Sequence, residues 1–130
     1  MIENIVIIIE NKKGEILLLK RSAYEKWYPK KWCFVAEKLK KGEMPDECFK
    51  RGIFEETGIK DCQKIEKKDS YIVKDGKFKR KIYPYRCKIN YNKIKINHEH
   101  SDYKWVTIDK IFALDIARPI ESQLKIFYGI

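Results

Sequence analysis

Five consecutive β-branched residues, Ile5-Val6-Ile7-Ile8-Ile9, are bracketed by Glu3 and Glu10 and constrain this chain more than any other stretch. Branching at Cβ restricts χ1 and fits the pleated surface of a sheet. A strand apolar on both faces needs cover on both, so the run is read as a central strand. It is far shorter than the roughly 20 apolar residues that cross a bilayer, and no membrane span or signal peptide is expected. A second strand, Ile16-Leu17-Leu18-Leu19, follows the turn-like Asn11-Lys12-Lys13-Gly14-Glu15.

Residues 21–31 are aromatic and basic with no clean period, and read as a loop. Trp32-Cys33-Phe34-Val35 reads as one short strand, and residues 38–42 as a polar connection. A helix is expected from Pro45 to Thr57. Pro45 suits its first turn, Asp46 and Glu47 favour its positive end, and Gly58 can close it with positive φ. Residues 69–74 and 77–89 flank Asp75-Gly76, a type I′ hairpin signal. Tyr103-Lys104-Trp105-Val106 suggests a further strand. Thr107 and Asp109 cap a short helical turn reaching Ala113, and Ile120, Leu124, Phe127 and Tyr128 space a closing helix. No repeat or linker interrupts this order, so residues 1–130 are read as a single domain.

Twenty-nine Lys and Arg against 19 Asp and Glu give a formal charge of +10, a field that attracts polyanions such as nucleotides or RNA. The four cysteines form no Cys-x-x-Cys pair, which argues against a zinc knuckle or a dense disulfide frame and fits a reducing cytoplasm.

On a helical wheel, positions 52, 55 and 56 share a face, with Arg51 one turn before Glu55 and with Phe49 and Ile53 turned toward the core. Paired carboxylates of this kind suit Mg²⁺ or Mn²⁺, which prefer carboxylate and water oxygens and bridge to substrate phosphates. Taken alone, Glu55-Glu56 would be an ordinary solvated face with an Arg-Glu pair. The spacing of Glu43, Arg51, Ile53, Glu55, Glu56, Gly58 and Ile59 decides otherwise. It resembles the box of the Nudix hydrolases, G-x5-E-x7-R-E-U-x-E-E-x-G-U with U apolar.

The resemblance implies an α+β chain, an α/β/α sandwich with a mixed sheet between helices. It further implies metal-dependent cleavage of a diphosphate linkage in a nucleoside diphosphate joined to another group: a nucleoside triphosphate, a dinucleoside polyphosphate or a nucleotide sugar. Carried over, Glu55 and Glu56 would bind the metal, Arg51 would pair with Glu43, and Gly58 would serve the turn after the helix.

Two positions depart from the box. Gly52 stands where a glutamate is expected, and Glu37 replaces the opening glycine. A mid-helix glycine costs about 1 kcal/mol relative to alanine, and the sequence does not show what it gains. Three readings follow. Glu37 could restore the lost charge at the metal; Glu55 and Glu56 with a downstream acid could suffice for slower hydrolysis; or the protein binds nucleotide without turning it over. A glutamate returned to position 52 is expected to raise activity. Glu99, within His98-Glu99-His100, is the candidate downstream acid, acting as metal ligand or base, and its flanking histidines read as residents of a surface loop.

Arg21, Trp27 and Tyr28 are candidate substrate contacts, with Tyr71, Phe78 and Tyr83 as further aromatics that could stack on a base. The basic stretch from Lys77 through Lys81 reads chiefly as a solvated hairpin edge. RNA is compatible with the charge but not favoured, since no RNA-binding signature appears. The expected partner is a small nucleotide, and the expected state a monomer or homodimer.

Overall fold

The computed structural model describes residues 1–130, the side chain of Asp75 excepted. Its strands are β1 (Ile2–Glu10), β2 (Ile16–Arg21), β3 (Trp32–Cys33), β4 (Val35–Lys38), β5 (Gln63–Lys67), β6 (Tyr71–Asp75), β7 (Phe78–Lys88) and β8 (His100–Val106). Its helices are α1 (Pro45–Thr57), α2 (Ile108–Ile111) and α3 (Pro119–Tyr128). No helix among the described residues is long and apolar enough to cross a membrane.

β1 lies at the centre of a mixed sheet, parallel to β7 from Ile2↔Arg80 to Glu10↔Lys88 and antiparallel to its other partners. Its alternation sorts the core. Ile5, Ile7 and Ile9 pack with Cys48, Phe49 and Ile53 of α1, and Val6 and Ile8 pack with Ile120 and Leu124 of α3. Helices thus cover both faces of the sheet, an α/β/α sandwich. Gln123, fully buried on α3, donates to Val6 O at 2.8 Å and accepts from the Tyr71 hydroxyl at 2.9 Å, so α3 is docked by satisfied polar groups as well as by apolar burial.

Strands β1 and β2 pair only at Glu10↔Ile16 and diverge beyond it. Residues 32–38 fill the divergence, which corrects the single-strand expectation there. Trp32 and Cys33 pair with β2, Val35 onward pairs with β1, and the switch falls at the buried Phe34. One unbroken run could not ladder with two strands that separate. The β6–β7 hairpin forms, but Asp75 pairs with Phe78, so its turn is Gly76-Lys77, with the positive φ of 63° at Gly76. The turn begins one residue later than Asp75-Gly76 implied. β5 has no counterpart in the sequence reading. It is an exposed edge strand on β7, and edge strands exposed on both faces carry no alternation to detect. α2 ends at Ile111 rather than Ala113, and β8 starts three residues early, at His100.

α1 has the expected bounds. Glu47 accepts from the Met44 N–H at 2.9 Å, and Gly58 at φ 74° returns its N–H to Phe54 O at 2.8 Å. Gly52 faces β4. A Cβ added there would lie 2.7 Å from Glu37 Cβ, 3.0 Å from Glu37 Cγ and 3.5 Å from Ile5 Cδ1. The two departures from the box are therefore one packing arrangement: the helix gives up a side chain at 52 and the strand places one at 37 in the same space. Because the clash is with Cβ, no rotamer of Glu37 relieves it. A lone Gly52→Glu is thus expected to disturb the α1–β4 contact, contrary to the expectation that it raises activity.

Gly52→Ala should destabilise the protein by about 1–3 kcal/mol through overpacking, despite the better helix propensity of alanine. In a Glu37→Gly background the same change should instead stabilise by about 1 kcal/mol. Urea unfolding of the four proteins checks this reversal of sign, and additive effects would show that the two positions do not share one space.

Candidate active site

Glu56 is carried by the buried face of α1, one turn after Gly52, and its side chain is 1% exposed. Neither of its carboxylate oxygens has an aligned hydrogen-bond partner among the described residues, though Glu99, Asn97 and Glu37 stand close enough to act on it. His100 Nδ1 stands 3.1 Å from Glu56 Oε2 but without the alignment of a hydrogen bond. Burial, reinforced by Arg21, pushes the imidazole down to about 4, so it is neutral near pH 7 and the contact is not an ion pair there. Burial above all, with the charge of Glu37 adding to it, pushes Glu56 up to about 7. Ligand atoms of Glu56, Glu99 and His100 lie within 4.8 Å of one another.

A buried carboxylate without a partner is costly. A divalent cation is the chemistry that would satisfy it, and carboxylates with an imidazole make a suitable donor set. The residues present therefore fit the ion.

Arg51 ties the surroundings together. Its Nε donates to Glu43 Oε2 at 2.8 Å and its Nη2 to Glu43 Oε1 at 2.9 Å, a bidentate fork, while Nη2 also reaches Lys38 O at 2.9 Å. Nη1 donates to Glu55 Oε2 at 3.1 Å and lies 3.6 Å from Glu37 Oε2. The fork holds the Glu43 carboxyl down at about 2. Glu55 is exposed, paired with Arg51, and outside the buried group. Glu37 is half-buried; its Oε1 accepts from the Lys38 N–H at 3.0 Å, and burial raises its pKa.

Glu99 sits just before β8. The Ser22 N–H donates to Glu99 O at 2.9 Å, Asn97 Oδ1 accepts from the Glu99 N–H at 3.1 Å, and Asn97 Nδ2 reaches Glu55 O at 3.3 Å. These bonds fasten the segment between β2 and the end of α1. Burial and the neighbouring Glu56 raise the Glu99 pKa. Expected on a surface loop, His100 is instead buried in β8, with Nε2 3.9 Å from Cys33 Sγ, and only His98 is exposed. Its burial was hidden because β8 reaches back to His100 over Ser101 and Asp102, which carry no apolar signal.

A cavity of about 220 Å³ opens over the divergence of β1 and β2, and its lining includes Arg21, Trp27, Tyr28, Glu37 and Glu99. Loop and box candidates thus meet at one opening. Of the remaining aromatics, Tyr71 bonds Gln123 and Tyr83 bonds Glu3 at 2.5 Å, whereas Phe78 packs edge-on against Trp27. Asn4 and Arg80 also line the cavity and were not singled out from sequence. Alternation along Phe78-Lys79-Arg80-Lys81-Ile82 would have placed Arg80 on the face of the buried Ile82 rather than on a solvated edge.

The raised Glu56 pKa has a definite sign. A carboxyl that folds more readily protonated contributes stability below its unfolded value, here 4.5, and that contribution is lost as pH rises through about 7. Metal-free protein should therefore fall progressively below a Glu56→Gln variant in stability between these two values. Thermal melts of the pair across that range check it, and a constant difference would contradict the burial cost.

The NUDIX domain model matches residues 2–125. A MutT protein from Methanosarcina mazei is 25% identical with a TM-score of 0.82, over 97% of this chain and 91% of that one. A Caenorhabditis elegans Ap4A hydrolase in a binary complex is 18% identical with a TM-score of 0.77, over 99% and 96%. The NUDIX domain of Shewanella oneidensis NrtR, complexed with ADP ribose, is 15% identical with a TM-score of 0.78, over 95% and 84%. With a family model matched along nearly its whole length, the chain belongs to the Nudix family of pyrophosphohydrolases.

Proposed function

We propose that this protein hydrolyses a diphosphate linkage in a nucleoside diphosphate joined to another group, with Mg²⁺ or Mn²⁺ held at Glu56 and Glu37 and with Glu99 beside them as the base. One observation carries the reading: the buried, unpartnered Glu56 carboxylate lies beside Glu99, which lines the cavity that also holds Arg21, Trp27 and Tyr28. Glu55 would join the ion by releasing Arg51. When bound, the ion neutralises diphosphate charge and makes a coordinated water more acidic.

The chain's own residues have separable tasks. Arg51, through its fork to Glu43 and its bond to Lys38 O, holds the loop, β4 and α1 in one arrangement. Glu99, a carboxyl raised by burial, accepts a proton from the attacking water while the phosphorus–oxygen bond breaks and its electron pair leaves with the departing phosphate. Arg21 and Lys38 line the cavity and offset phosphate charge. Glu37 bears on the choice between turnover and silent nucleotide binding: its Cβ and Cγ fill the space Gly52 leaves open, so β4 supplies a carboxylate in place of the one missing from the helix. We place the protein in a reducing cytoplasm, consistent with four cysteines that are all free.

Nucleoside triphosphates, a dinucleoside tetraphosphate and nucleotide sugars, incubated with Mg²⁺ or Mn²⁺ and followed by ³¹P NMR, test the reaction. Turnover of at least one class is expected, and nucleotide binding without any turnover would refute hydrolysis. Glu56→Gln and Glu99→Gln should each lower kcat by roughly 10²–10⁴-fold. A chelator should abolish activity, added Mg²⁺ or Mn²⁺ should restore it, and the same ions should raise the melting temperature of wild type but not of Glu56→Gln.

A further inference from the structure

The cavity has a second polar feature, away from the carboxylates. Asn4 Oδ1 and Arg80 Nε are both buried, and neither has a hydrogen-bond partner among the described residues. Both residues line the cavity. Parallel pairing of β1 with β7, with Ile2 opposite Arg80 and Asn4 opposite Ile82, makes them diagonal neighbours on the α3 side of the sheet. Around them the lining combines apolar Val6, Phe34, Ile82 and Ile120 with Lys38, which stands opposite Asn4 across β1 and β4. One buried acceptor and one buried donor therefore stand unmet at the cavity wall, and leaving each so is costly.

The adjoining loop is built to keep this arrangement. The Arg80 guanidinium lies over the Trp27 ring at 4.5 Å and over Tyr28 at 6.0 Å, while Arg21 Nε donates to Trp27 O at 2.6 Å. Tyr28 and Lys30 hold positive φ of 51° and 65° without being glycine. Such conformations persist where surrounding contacts over-determine them, and they cluster at ligand sites.

We propose that Asn4 and Arg80 read one edge of a nucleobase, Asn4 Oδ1 accepting from a base N–H and Arg80 Nε donating to an adjacent base oxygen or ring nitrogen. At about 220 Å³ the cavity is below the roughly 300–1,000 Å³ that encloses a whole drug-sized ligand, so it holds one part of the substrate. A flat ring, apolar on its faces and polar at its edge, matches the lining. A pentose does not, because its hydroxyls would demand more than two polar partners. The assignment deepens the nucleoside diphosphate reading above, which supplies the phosphate end of the ligand near Glu37 and Glu99.

Calorimetry with AMP, GMP, CMP and UMP against ribose 5-phosphate, with metal chelated throughout, tests the site independently of catalysis. At least one nucleotide should bind roughly tenfold tighter than ribose 5-phosphate. Asn4→Leu and Arg80→Met should each remove about that advantage while leaving ribose 5-phosphate affinity unchanged. Asn4→Asp, which keeps an acceptor, should retain it. Melting curves confirm that each variant is folded. Equal affinity for ribose 5-phosphate and all four nucleotides would overturn the proposal, as would wild-type nucleotide affinity in both variants. Base-selective binding in a protein that hydrolyses no diphosphate would support this site while sinking the hydrolase reading, and hydrolysis indifferent to the base would do the reverse.

Discussion

The close approach of α1 to β4 is the contact on which the rest of the site depends. Gly52 admits Glu37 against the helix backbone, and the Arg51 fork clamps the connecting loop and the β4 carbonyl at the same level. Depth and roll of the helix are thereby fixed. Phe49 and Ile53 reach the core, and one turn beyond Gly52 the Glu56 carboxylate arrives where water does not. A longer side chain at 52 would lift the helix and move Glu56 with it.

Electrostatically, the molecule opposes its parts. A chain of net charge +10 encloses a small group of acids with raised pKa values, while Arg21, Lys38 and Arg80 line the adjoining cavity. The outer field draws anions in. The acids give a cation somewhere to stay, and Arg21 and Lys38 give an anion something to meet. Neither half alone would suit a substrate that carries its own metal-binding phosphates.

Much of this was legible in the sequence because it rests on local rules. The β-branched run gave β1 its place, proline and glycine bounded α1, and helical spacing located α3. Glu43, Arg51 and Glu56 stand at fixed intervals on one helix and its loop, so motif spacing locates them. What escaped depends on pairing between distant segments. The break at Phe34 exists because β1 and β2 diverge, β5 is recognisable only by its partner β7, and His100 is buried where the start of β8, paired with β2, meets Glu56. Asn4 and Arg80 become neighbours only through the parallel register of β1 and β7. The role of Gly52 was invisible for the same reason, since the space it leaves is defined by a residue on another element.

That shared space also restricts how this sequence can have arisen from the glycine-then-glutamate order of the family box. Acquiring Glu37 while a glutamate still occupied position 52 would force two side chains into one volume. Losing the helix glutamate first leaves a foldable protein with a weakened helix and one acid fewer, into which Glu37 can then enter. The passable route is ordered and descends through a poorer intermediate, and the same obstacle lies on the way back. An ancestor that crossed it would be held on this side, with divergence at either position confined by the other.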